Sequence, residues 1–160
     1  MNDIGELCLD INIDVKHATF TPTQAQAELW ITKALTVGLP DNSPYLQEAD
    51  LSITLVTSEA IAQLNKDYRK KDKATNVLSF PTDFPEELAL PLLGDIIICP
   101  SVLENEAQEQ NKTLESHWAH LCIHGCLHLL GFDHIEANEA EIMEGLETKI
   151  MLDLNYPAPY

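Results

Sequence analysis

The eleven-residue run His124-Gly-Cys-Leu-His128-Leu-Leu-Gly131-Phe-Asp-His134 constrains this chain more than any other stretch. On a helix, His124 and His128 stand one turn apart, about 6 Å along the axis and about 40° around it, so both imidazoles project from one face. Gly131 can adopt a left-handed conformation and end the helix. The chain then reverses, and His134 can swing back toward the pair. The interleaved residues Leu121, Ile123, Leu127 and Leu130 are apolar enough to make this the buried central helix of its domain.

Three imidazoles converging at a helix end form a ligand set for a metal ion. Three protein ligands leave one coordination position open, the arrangement of a catalytic rather than a structural zinc site. The spacing H-x-x-x-H-x-x-G-x-x-H is that of the metzincin proteases, except that Gly125 stands where their catalytic Glu follows the first His. The reading assigns one Zn2+ per chain to His124, His128 and His134. The plain alternative is three core or surface histidines on a helix that ends in Gly; a glycine and a third histidine both in register favour the metal. His117 and His120 lie upstream on nearly the same stripe; they could widen the site, but read better as buried or ligand-orienting residues. Cys122 and Cys126 point about 160° away from His124 and read as small core residues. Asp133 can orient His134 or accept a proton, or simply cap the turn.

A chain of 160 residues, 45% hydrophobic, is expected to form one domain spanning 1–160. No run of 18 apolar residues and no signal-like start are present. The four cysteines lack a disulfide or paired-ligand spacing. Reduced thiols in a cytoplasmic protein, away from membranes, are the resulting expectation. The net charge of −17 repels nucleic acid at long range. Yet five of the nine positive charges, Lys66, Arg69, Lys70, Lys71 and Lys73, fall between residues 66 and 73, and Arg69 is the sole arginine. Such a run can be a plain solvated face. Beside a metal-hydrolase motif it reads better as an anion-binding element, because a guanidinium suits bidentate phosphate contacts.

Alternation of Leu7, Leu9, Ile11 and Ile13 with polar residues predicts a first strand, and Leu51, Ile53 and Leu55 a second. Between them a helix is expected from Thr21-Pro22 to Gly38-Leu-Pro40. Ser58 is expected to cap a short helix with Ile61, Leu64 and Tyr68 that delivers the basic cluster at its C-terminal end. Residues 75–80 predict a third strand closed by Pro81, 81–92 a loop, and 94–99 a fourth strand bounded by Pro100. Helices are expected over about 101–110, 113–130 and 136–153. The last carries Ile142, Met143, Leu146 and Ile150 on one face, with Glu136, Glu139, Glu141, Glu144 and Glu147 solvated outside. The tail after Leu154 is expected to pack loosely. The order predicts an α+β fold: one small mixed four-stranded sheet packed with helices, with the histidine helix at the centre.

Three blocks carry a family resemblance: Leu64-Asn65 through Tyr68-Arg69 to Thr75-Asn-Val-Leu-Ser-Phe-Pro81; Gly94-Asp95-Ile-Ile-Ile; and His124-Gly125 through Asp133-His134. In type and order they resemble the YbeY family of bacterial rRNA maturation endoribonucleases, over nearly the whole chain. The resemblance implies single-strand-selective RNA cleavage, action at the 3′ end of small-subunit rRNA, and ribosome quality control. It also implies zinc on His124, His128 and His134, Arg69 required for activity, and single-stranded rRNA and the small ribosomal subunit, rather than DNA, as partners. Two departures show: the family usually has Asp where this chain has Asn76, and commonly Tyr in place of Phe132. Two rival readings stand beside it, a zinc peptidase or amide hydrolase whose acid comes from elsewhere, and a non-catalytic ribosome-binding module stapled by zinc.

Overall fold

The computed structural model describes residues 5–13, 18, 20–82 and 91–160. Strands β1 (Glu6–Ile13) and β2 (Glu48–Leu55) follow their apolar alternation, which buries Leu9, Leu51, Ile53 and Leu55. They pair in parallel across the helix α1 (Gln24–Gly38), the crossover that parallel neighbours require. Strand β4 (Leu92–Ile98) pairs in parallel with β2, and β3 (Val77–Pro81) runs antiparallel to β4, for a sheet order β1-β2-β4-β3. Among the described residues β3 pairs with β4 alone, so Pro81, which has no N–H, sits on an edge strand where it can be accommodated.

The remaining helices are α2 (Ser58–Arg69), α3 (Pro100–Glu109), α4 (Leu114–Leu129) and α5 (Ala137–Asp153). This is the expected α+β arrangement. Twelve of the sixteen residues of α4 are buried, which makes it the central helix. It packs against α1, α3, α5, β3 and β4. Its Ile123 and Leu127 are fully buried, and each such side chain contributes about 1.5–3 kcal/mol of apolar burial. Cys122 and Cys126 are buried free thiols. No helix among the described residues is long and apolar enough to cross a membrane.

Several expectations are corrected. Helix α1 starts at Gln24, after Pro22, because Thr23 and Gln26 form a reciprocal capping box that satisfies two end amides at once. Thr57 rather than Ser58 caps α2, its hydroxyl accepting from the Ala60 amide. β3 begins at Val77, and Leu92 belongs to β4; residues 83–90 of the expected loop lie outside the described residues. On α5, Ile142 is 58% exposed while Glu147 is 0% exposed, so the inner face runs through Met143, Glu147 and Ile150. The C-terminal segment is strapped down. Trp30 Nε1 donates to the Tyr156 hydroxyl at 3.2 Å, that hydroxyl donates to Glu115 at 2.8 Å, and Lys112 Nζ donates to the Pro159 carbonyl at 2.9 Å.

Gly94 stands just after the bulge at Leu93, where the pairing of β4 with β2 shifts by one residue. Its φ is +144°, and a Cβ there would lie 2.3 Å from the Phe80 carbonyl oxygen and 2.9 Å from Leu129 Cδ2. The obstacle is backbone, which has no rotamer in which to retreat. Gly94→Ala is therefore expected to destabilise the protein by about 3 kcal/mol or more, from backbone strain and overpacking together. A urea-unfolding midpoint equal to that of the parent would refute this.

Candidate metal centre and its cleft

Helix α4 ends in a Schellman turn built on the glycine. The Gly131 amide donates to the His128 carbonyl at 3.0 Å and the Phe132 amide to the Leu127 carbonyl at 3.1 Å. Gly131 takes the positive φ of +101° that this turn needs. The reversal returns His134 beside the helix, so that one ligand nitrogen from each of His124, His128 and His134 lies within 4.8 Å of the others. His124 Nε2 and His128 Nε2 are 3.1 Å apart. In a tetrahedral site with metal–nitrogen distances of about 2.0–2.1 Å, neighbouring donors lie about 3.3 Å apart. The donor set therefore fits a small divalent cation with little adjustment.

Each ring also has a further polar neighbour. His124 Nδ1 donates to Glu147 Oε1 at 2.6 Å, His128 hydrogen-bonds the backbone at Phe132, and His134 Nδ1 lies 3.6 Å from Asp133 Oδ1. Asp133 also accepts from the His134 amide at 2.7 Å, the contact of a turn-capping residue. Burial, with the nearby His124 and His134, pushes His128 down to about 4. It is a neutral imidazole at physiological pH, the form that ligates metals.

Gly125 has a packing cause. A Cβ at this position would lie 2.9 Å from Ile96 Cγ2, 3.3 Å from Ser79 Oγ and 3.4 Å from Val77 Cγ2. The helix approaches the sheet so closely here that the Ser79 hydroxyl donates to the Gly125 carbonyl at 3.0 Å. A glutamate here would have to push the helix away from β3 and β4.

The cleft, about 650 Å³, runs between the edge strand β3, the end of α2 and the histidine turn, and Arg69 lines it together with His124, His128 and His134. Arg69 is the last residue of α2, is exposed, and pairs with no carboxylate among the described residues. Tyr68, 67% exposed, stands next to it on the cleft wall, with its ring edge-on to Phe80 at 5.1 Å. Lys66, Lys70, Lys71 and Lys73 are exposed and do not line the cleft; they flank Arg69 in sequence. Their loop is held by buried Asn65, whose amide donates to the Lys73 carbonyl at 3.0 Å. Lys66 also lies 3.9 Å from Asp72.

His117 and His120 are both buried, each against a carboxylate. His120 Nε2 donates to Glu147 at 3.0 Å. His117 Nε2 donates to Glu106 at 3.0 Å, and the Asn76 amide donates to both oxygens of the same carboxylate at 3.2 and 3.3 Å. Asn76 thus ties the cleft wall to α3 and α4. Burial pushes the thiol of Cys126 up to about 12 and that of Cys122 higher still, so neither offers a thiolate. Sequence reasoning missed Glu147 and Glu106. The signal for Glu147 was its spacing, four residues after Met143 and three before Ile150, on the apolar stripe of α5.

A family model described as endoribonuclease YbeY matches residues 12–155 of the 160. The solution structure of a target protein from Thermotoga maritima is similar in fold, at 23% identity and a TM-score of 0.55, over 93% of this chain and 91% of that one.

The Glu106 carboxyl is held below its ordinary value of 4.5 chiefly by the hydrogen bond from His117, which with that from Asn76 outweighs burial. A depressed carboxylate contributes stability that is present above its unfolded-state value and is lost as pH falls through its folded value. Glu106→Gln is accordingly expected to cost about 1–3 kcal/mol at neutral pH, a difference that shrinks below pH 4.5. Denaturant titrations of both proteins between neutral and acid pH check it; a deficit that persists undiminished in acid would contradict the assignment.

Proposed function

This chain belongs to the YbeY endoribonuclease family, and from that premise we propose a zinc-dependent, single-strand-specific endoribonuclease acting on ribosomal RNA. Its place is small-subunit 3′-end maturation and ribosome quality control in the cytoplasm, with the small subunit as partner. The observation that carries this reading is the opening of Arg69 and three convergent histidines onto one cleft. His124, His128 and His134 hold the zinc, which supplies Lewis acidity at the scissile phosphodiester. Asp133, whose Oδ1 lies 3.6 Å from His134 Nδ1, helps to orient that ring.

Arg69 is the phosphate clamp. Its guanidinium can take two non-bridging oxygens at once and stabilise the charge that grows as phosphorus becomes five-coordinate. Lys66, Lys70, Lys71 and Lys73 gather the strand at the Arg69 end of the cleft. Against a net charge of −17 they act only at close range, so binding weakens steeply with salt. The exposed ring of Tyr68 offers an unpaired base a stacking surface that a base in a duplex cannot reach, which supports single-strand selectivity.

The rival readings have less to rest on. An amide hydrolase needs an acid at the metal, and the only carboxylate lining the cleft among the described residues is that of Asp133. A zinc staple needs a fourth protein ligand, and among the described residues the cleft-side donor group comprises three histidines.

The deciding experiment compares cleavage of a single-stranded RNA and its duplex, with and without zinc. Arg69→Ala is expected to lower single-strand cleavage by about 10²–10³-fold while zinc content and melting temperature stay at parental values. Full activity in that variant would remove the clamp role, and equal cleavage of the duplex would remove strand selectivity. His128→Ala is expected to lose stoichiometric zinc by elemental analysis; zinc retained there would exclude His128 as a ligand.

A further inference from the structure

The geometry points to Glu147 as the positioning residue of the metal centre: its carboxylate fixes the tautomer and the angle of His124. This rests on the reading of His124, His128 and His134 as ligands, and not on the RNA chemistry.

The argument is one of protons. An ionised carboxylate can only accept hydrogen bonds. With Glu147 Oε1 at 2.6 Å, the proton of neutral His124 belongs on Nδ1. The lone pair is then on Nε2, the nitrogen 3.1 Å from His128 Nε2 and facing the donor group. Without Glu147 the two tautomers of His124 would compete, and one of them would turn an N–H toward the metal.

Glu147 is itself held from both sides. His120, one turn before His124 on α4, donates to the same Oε1 at 3.0 Å, and the Tyr160 hydroxyl donates to Oε2 at 2.9 Å. The carboxylate is 0% exposed and has both oxygens engaged. Burying it uncompensated would cost several kcal/mol, so its presence on an apolar stripe needs these three donors.

His120, His124 and Glu147 also place one donor atom each within 4.8 Å, which could suggest a second cation. The 2.6 Å between His124 Nδ1 and Glu147 Oε1 argues otherwise. Two ligands of one tetrahedral ion at about 2.0–2.2 Å would stand well over 3 Å apart. The short separation is that of a charge-assisted hydrogen bond.

The test is a zinc titration of metal-free protein in competition with a chromogenic chelator, with no RNA present. Glu147→Gln is expected to weaken zinc binding by about 10–100-fold, and Tyr160→Phe, which leaves the carboxylate in place, by a smaller factor. The melting temperature of each metal-free variant is read alongside, since a purely structural role would lower it without changing the affinity of the folded fraction. Should Glu147→Gln fail to fold, nitrogen-15 spectra of the zinc-loaded parent decide. They are expected to show His124 protonated at Nδ1 and ligated through Nε2. Ligation through Nδ1, or an unchanged zinc affinity in a folded Glu147→Gln, overturns the assignment. A parent protein that binds no zinc overturns the ligand reading and this inference with it, whereas zinc binding without RNA cleavage leaves both standing and removes only the nuclease.

Discussion

The close approach of α4 to β3 and β4 at Gly125 is the contact on which the rest of the site depends. A residue with no side chain lets the helix settle against Ile96, Val77 and Ser79, and the Ser79 hydroxyl pins its carbonyl to the edge strand. With that side against the sheet, His124 and His128 flank the glycine and open onto the cleft beside β3. The same strand forms the wall on which Phe80 meets Tyr68. Had the helix stood farther off, β3 and the histidines could not bound one cleft.

The second dependence is electrostatic. The site side of α4 carries buried histidines, which would be isolated polar groups in an apolar interior without acceptors. α5 supplies Glu147 and α3 supplies Glu106, so each buried imidazole meets a carboxylate from a different helix. These pairs link α3, α4 and α5 where apolar packing alone would leave their rotation loosely specified. They also explain why Asn76 suits its place. An amide can donate to the ionised Glu106, whereas a second carboxylate there would meet it charge to charge.

Much of this was legible in the sequence, and the residues that were not share a cause. Apolar period and turn chemistry located the four strands, the central helix and the Gly131 turn, because these are local properties of consecutive residues. In the sequence Glu147 reads as part of a solvated acidic face because it ends a run of four other glutamates. Its histidine partners are 23 and 27 residues away on another helix, a tertiary relation that composition does not record. The tail misled for a similar reason. A Pro- and Tyr-rich end looks loose until Trp30, Lys112 and Glu147 supply its hydrogen bonds. Gly125 stands out in the sequence as a departure from the metzincin pattern, and the close approach of Ile96, Ser79 and Val77 gives it a steric cause.

The Schellman turn after α4 bears on how the protein would meet its metal. The spacing of His128 and His134 is set by main-chain hydrogen bonds at Gly131 and Phe132, and the spacing of His124 and His128 by the helix itself. None of these bonds involves the ion. In small zinc modules the binding energy is folding energy, and chelation denatures them. Here the three histidines are brought together by main-chain bonds, so an ion that bound them would meet a donor set the fold already presents, and its free energy of binding would go into affinity. A centre of that kind could be emptied and refilled, even with a different divalent ion, without the chain around it unfolding.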